Sequence, residues 1–166
     1  MTQIATIKLR NQYLKFAAAH FTIFSATERE RLHGHNFYVE AEFSATVGDG
    51  GLCFDYNIMK NRLRALCESL DEYVLLPAAS PHLAISREGY NILVEFDGRQ
   101  LVFAEEDTIL LPIRNVTAEE LSHWLLGEAI DDSFAKQYGI VDMRIAVSSG
   151  PGQSVSSYWQ YKEGMQ

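Results

Sequence analysis

The run His33-Gly34-His35-Asn36-Phe37-Tyr38-Val39-Glu40-Ala41-Glu42-Phe43-Ser44-Ala45 decides how this chain is read. From Phe37 to Val47, apolar and polar residues alternate with the period of a strand that buries one face. Residues two apart on a strand share a face, so His33 and His35 present their imidazoles side by side, with Gly34 leaving room between them. His20 ends an earlier strand-like run that starts at Ile4 and has no breaker, and it supplies a third corner. Three imidazoles with an open fourth position describe a catalytic zinc, whereas structural zinc usually takes four protein ligands, often cysteines. The other two histidines lack such company: His82 follows a proline in a loop, and His123 falls inside a helical run.

Outward from that stretch, the order of elements is legible. The turn residues Val47 to Gly51 lead into a helix whose apolar positions Met59, Leu63, Leu66 and Leu70 step by four, three and four. Two strand-like runs, Asn91 to Phe96 and Gln100 to Ala104, flank Asp97-Gly98, a strong hairpin signal. Thr117 with Glu120 makes a capping box that opens a second helix, expected to end near Tyr138-Gly139. Strands follow in "VDMRIAVSS" and "SVSSYWQYK", separated by the loop "GPGQ". This order predicts an α+β fold: an antiparallel sheet with two helices packed on one face, plus an inserted β-hairpin at about residues 85–104.

The chain of 166 residues is expected to form a single domain over residues 1–166. No apolar run approaches a membrane span, and the N-terminus lacks the regions of a secretory signal, so a cytoplasmic location is expected. A formal charge of −8 without a basic stripe argues against nucleic acid as a partner. Cys53 and Cys67 lack metal-type spacing and read as packing residues.

Five segments together carry a family resemblance: "FAAAHF" at Phe16 to Phe21, "RERLHGHNF" at Arg29 to Phe37, "FDY" before the first helix, "LDEYVLLP" at Leu70 to Pro77, and "NVTAEEL" at Asn115 to Leu121. The chain resembles the 6-pyruvoyl-tetrahydropterin synthase family, which includes the 6-carboxytetrahydropterin synthases. The resemblance implies a tunnelling fold (T-fold), in which subunits join their sheets into a barrel, commonly a hexamer, with pterin sites at subunit boundaries. It also implies Zn2+ held by His20, His33 and His35, and a small-molecule pterin substrate. Thr117 and Glu119 match positions that help bind the pterin from the adjoining subunit.

The chain departs from the family pattern in three places. No cysteine lies between His20 and His33; Glu30 stands three residues before His33, as in a variant branch where glutamate replaces the catalytic cysteine, and is the candidate base. Asp71 fits the family aspartate, but Glu72 occupies the place of its histidine, so Asp71 and Glu72 form a modified relay or a helix exit. Ser148 and Ser149 stand where the family has a glutamate that grips the pterin ring, and a hydroxyl cannot reproduce the fork of a carboxylate. The lead expectation is a zinc-dependent pterin lyase acting on a dihydroneopterin (triphosphate)-like substrate. The alternatives are a zinc-binding family member without lyase activity, serving in binding or assembly, and a zinc enzyme on another small heterocycle read by Ser149 and its neighbour.

Overall fold

A computed structural model describes residues 2–162. Strands β1 (Ile4–Leu9), β2 (Lys15–His20) and β3 (His33–Thr46) precede helix α1 (Asn57–Glu68). Strands β4 (Tyr73–Pro77), β5 (Ala84–Glu88), β6 (Asn91–Phe96), β7 (Arg99–Ala104) and β8 (Thr108–Leu111) follow. Helices α2 (Ala118–Ala129) and α3 (Asp132–Tyr138) then lead to strands β9 (Ile140–Ser148) and β10 (Val155–Gln160). The fold is α+β, with seven strands in one sheet and three in another.

The 14-residue β3 is the spine of the large sheet. Its first half pairs with β2, its second half with β1, and its other edge with β9, all antiparallel. The run expected as one strand from Ile4 to His20 is therefore two. A turn closed by the Leu14 N–H on the Asn11 carbonyl lifts the chain out of register, and the freed Leu14 carbonyl accepts the Val39 N–H.

Beyond β2 the sheet continues in parallel, β2 to β4 and β4 to β8. Neither β4 nor β8 was expected, nor was β5. "YVLLP" is buried at Leu75, Leu76 and Pro77 in succession, so it lacks the alternation that marks a half-exposed strand.

Phe37, Val39, Ala41, Phe43 and Ala45 of β3, Phe16 and Ala18 of β2, and Met143, Ile145 and Val147 of β9 share one buried face. Met59 and Leu63 of α1, Leu121 and Leu125 of α2, and Ala135 of α3 close over it. Among the described residues the α-helices number three rather than two. Ile130 leaves the helical region with an extended backbone, and Asp131 starts a new helix by accepting the Phe134 N–H at 2.7 Å. Gly139, at φ 65°, ends it in the left-handed conformation that glycine tolerates best. Helix α1 stops at Glu68, so Leu70 lies past its end, although it is buried with the same core.

The three-stranded sheet has the order β5-β6-β7. Its expected turn is present: Asp97 and Gly98 both have positive φ, at 51° and 69°, as a tight hairpin requires. It packs through a second cluster in which Ile92, Val94 and Phe96 meet Phe21, Ile23 and Leu76. Among the described residues, no helix is long and apolar enough to cross a membrane.

Candidate metal centre

The row of β3 residues that builds the core runs on past Phe37 to His35 and His33, so the same period-two geometry that buries phenylalanine aims both imidazoles inward. On β2, His20 continues the row of Phe16 and Ala18 and lies directly opposite His33. One potential ligand atom from each of the three histidines can be chosen so that all lie within 4.8 Å of one another. The Nε2 atoms of His33 and His35 are 3.1 Å apart. Bonds of tetrahedral zinc to nitrogen place neighbouring nitrogens about 3.3 Å apart, so the cluster is close to the size required.

The hydrogen bonds set the tautomers. His20 Nδ1 lies 2.9 Å from the Val116 carbonyl oxygen, which only an N–H can satisfy, and His33 Nδ1 lies 2.7 Å from that of Arg31. Each bond leaves a lone pair on Nε2, the pattern by which a main-chain oxygen orients a metal-binding imidazole. His20 is 5% exposed and its Nε2 has no hydrogen-bond partner among the described residues. Such an orphaned polar atom costs about 1–3 kcal/mol when buried, a cost that a metal bond removes. Burial, with His33 and His35 nearby, holds the His20 pKa below its usual value despite the Val116 bond, so the neutral, ligating form is favoured. The donor set fits zinc.

Gly34 does not separate the imidazoles. It faces the opposite side of the sheet, where an added Cβ would meet only the Ala18 carbonyl oxygen, at an ordinary 3.6 Å. Its small size instead opens a groove of about 460 Å³ on that side, lined by Ala17, Ala19, Asn36, Glu72 and Asp107 and reaching His35.

Glu30 reaches the cluster from the segment between β2 and β3. Its Oε2 accepts the Thr22 N–H at 3.1 Å and lies 3.8 Å from His33 Nε2, while its own N–H donates to the Thr22 carbonyl at 2.8 Å. The Thr22 bond, aided by His33 and His20, holds the Glu30 carboxyl below the usual carboxylate range. The residue that locks this segment, Asn115, opens the "NVTAEEL" run but had no role assigned to it from sequence. Asn115 takes the Ile23 N–H on Oδ1 at 3.0 Å and returns Nδ2 to the Ile23 carbonyl at 2.7 Å.

The structure does not bring Asp71 or Glu72 into hydrogen-bond contact with Glu30 or the histidines. Asp71 Oδ1 accepts the Ala17 N–H at 2.6 Å, and Glu72 continues the link with its N–H on the Ala17 carbonyl at 2.7 Å. Glu72 does so with a positive φ of 66°. Thr117 caps α2 by accepting the Glu120 N–H at 3.3 Å. The capping box is half used, because the Glu120 carboxylate turns to Arg114, accepting its main-chain N–H at 2.9 Å. Glu119, one residue away, lines a cleft of about 280 Å³ with Ser148, Ser149, Gln153 and Ser154. His82 and His123 are exposed.

The model of the family described as 6-pyruvoyl tetrahydropterin synthase matches residues 10–158. A Methanocaldococcus jannaschii protein provisionally named a 6-carboxy-5,6,7,8-tetrahydropterin synthase is 27% identical over 154 residues, covering 90% of this chain and 92% of that protein. The crystal structure of the Plasmodium vivax 6-pyruvoyl tetrahydropterin synthase superimposes with a TM-score of 0.89 at 28% identity, covering 95% of this chain and 99% of that one. The Plasmodium falciparum synthase gives the same TM-score of 0.89 at 30% identity, covering 95% and 98%. Variants of the P. vivax enzyme replace a glutamate, described as a catalytic residue, with alanine or cysteine. With a family model spanning nearly the whole described chain and synthase structures superimposing over 95% of it, this protein belongs to the 6-pyruvoyl tetrahydropterin synthase family.

Proposed function

We propose that this protein is a zinc-dependent lyase of the 6-pyruvoyl or 6-carboxytetrahydropterin synthase type, acting on the side chain of dihydroneopterin or its triphosphate. The observation that carries the reading is the partnerless, buried Nε2 of His20 beside the His33–His35 pair, with the Glu30 carboxylate 3.8 Å from His33. His20, His33 and His35 would hold zinc, which would polarise hydroxyl or keto oxygens and ease removal of the protons beside them.

Glu30 then acts as the base. The Thr22 N–H keeps its carboxylate ionised at neutral pH and fixes one oxygen on the histidine side, where a substrate carbon bearing an acidic hydrogen would sit. The catalytic glutamate of the P. vivax enzyme supports a carboxylate in this role. A relay through Asp71 and Glu72 is the secondary part of the proposal; Asp71 is tied to β2 at Ala17, three residues before His20, and Glu72 lines the groove on the sheet face opposite the imidazoles. Glu119, Ser148 and Ser149 line a common cleft, so a carboxylate from α2 is at hand to accept the paired N–H donors of a pterin edge, and Thr117 sets the helix that presents it. The open edges of β1 and β10 suit self-association.

A second reading draws on Ser148 and Ser149: a zinc-binding family member that has lost lyase activity, or one that reads a different ring edge. Incubating the zinc-loaded protein with dihydroneopterin triphosphate and with dihydroneopterin, and following products by mass spectrometry, separates these readings. A 6-pyruvoyl, 6-carboxy or 6-hydroxymethyl pterin establishes the lyase and names its branch. No product from either substrate, with zinc bound, overturns it.

A further inference from the structure

The segment between His20 and His33 leaves the large sheet, turns at Ser25 to Glu28, and returns. The Phe24 and Ser25 N–H groups both meet the Glu28 carbonyl, and Ile23 bridges to Arg29 as in a short hairpin. The far side of this hairpin rests on the three-stranded sheet, where Phe21 and Ile23 join the cluster of Ile92, Val94 and Phe96. Arg29 is the link between the two. Its guanidinium lies over the Phe21 ring, 4.8 Å from the centroid, and over the Phe96 ring at 5.6 Å, while Nη1 donates to the Glu30 carbonyl at 2.7 Å.

We propose that Arg29, held between Phe21 and Phe96, is the positioning residue for Glu30, and that the β5–β7 sheet serves the site by supplying the Phe96 face of that clamp. A planar guanidinium can stack on rings and donate in its own plane at the same time; an ammonium has no plane to stack. The arrangement holds the Glu30 main chain by its carbonyl while Thr22 holds it by its N–H, which leaves the carboxylate little freedom to leave the histidines. Phe21 immediately follows His20 and Glu30 stands three residues before His33, so the clamp reinforces the Thr22–Glu30 main-chain bond just beyond His20 and His33, the last pair of the β2–β3 ladder.

The inference rests on the reading of Glu30 as the base, and its test keeps the two apart. The zinc-loaded protein is assayed on dihydroneopterin and its triphosphate as R29A, R29K, F96L and E30Q, and amide hydrogen exchange is measured across residues 22–31. We expect R29A and F96L to keep one zinc per chain and a KM within about twofold of the parent, while kcat falls on the order of tenfold or more, as misplacement of a reacting group does. R29K recovers only part of kcat, and R29A combined with F96L costs no more than R29A alone. Exchange at the Glu30 amide rises in both single variants. A kcat unchanged in R29A and F96L, with E30Q inactive, overturns the proposal. Should E30Q itself retain turnover, the base assignment fails, and the clamp stands or falls on exchange: unaltered protection at Glu30 in R29A overturns it.

Discussion

His33 and His35 meet Nε2 to Nε2 at 3.1 Å. With the His33 Nδ1 proton given to the Arg31 carbonyl, its Nε2 carries a lone pair aimed at its neighbour, and a cation between the rings satisfies both. Replacing either residue with alanine is expected to reduce bound zinc from one equivalent per chain to near zero by elemental analysis. Full retention would falsify the ligand assignment.

Because Gly34 faces the other side of the sheet, G34A is expected to bind zinc as tightly as the parent. Weaker binding in a competition assay with a chromogenic chelator would mean that the imidazoles do need the space.

Glu30, on the segment that connects β2 and β3, places its carboxylate 3.8 Å from His33 Nε2. E30Q keeps the shape of the side chain and removes its ability to take a proton. Zinc content is expected to be unchanged and turnover to fall by about 10²–10⁴-fold, the usual share of general base catalysis. Turnover within twofold of the parent, about the scatter of such assays, would remove Glu30 from the mechanism.

Neither cysteine is placed to substitute for it. Cys67 is 1% exposed and burial pushes its thiol up to about 12; Cys53 donates to the Ala45 carbonyl at 3.5 Å. A C53A/C67A variant is expected to retain kcat. A large loss of turnover without loss of fold, judged by circular dichroism, would point to a thiol base after all.

The Arg114 guanidinium beside Glu120 holds that carboxyl below its usual range. A carboxyl with a depressed folded-state pKa contributes stability above its unfolded pKa of about 4.3 and loses it as pH falls through the folded value. The melting temperature of E120Q is therefore expected to lie below that of the parent at pH 7, and the gap to close as the pH is lowered through the acid range. A gap that stays constant from neutral to acid pH would show that the Arg114 contact adds nothing through charge.

The sequence marks some of these features and hides others for physical reasons. The histidine row, the Asp97-Gly98 turn and the Thr117 cap each depend on side-chain identity at fixed spacing, so residue types reveal them. Strand β4 is buried at successive positions and pairs in parallel, which erases the alternation that β3 displays. The break between α2 and α3 sits in "AIDDSF", where Asp131 and Asp132 serve equally well as the exposed face of a longer helix. In the site, His20, His33, His35 and Glu30 were visible because the proposed chemistry resides in their side chains. The Thr22 amide and the carbonyls of Val116 and Arg31, which orient them, are main-chain groups that any residue would supply. Asp71 has a structural part that its residue type does not announce: its carboxylate ties β2 to the start of β4 by accepting the Ala17 N–H.

Given the proposed ligands, the continuity of Phe37, His35 and His33 along one face of β3 would make metal uptake a checkpoint on the assembly of the sheet. A slip of one residue in β3 would turn the phenylalanines toward solvent and carry both imidazoles to the far side, away from His20. A misregistered chain would thus lose its core and its ligands in the same error. With zinc bound as proposed, its stoichiometry in a freshly refolded sample would count the molecules whose central strand has found its place, before any assay of activity is run.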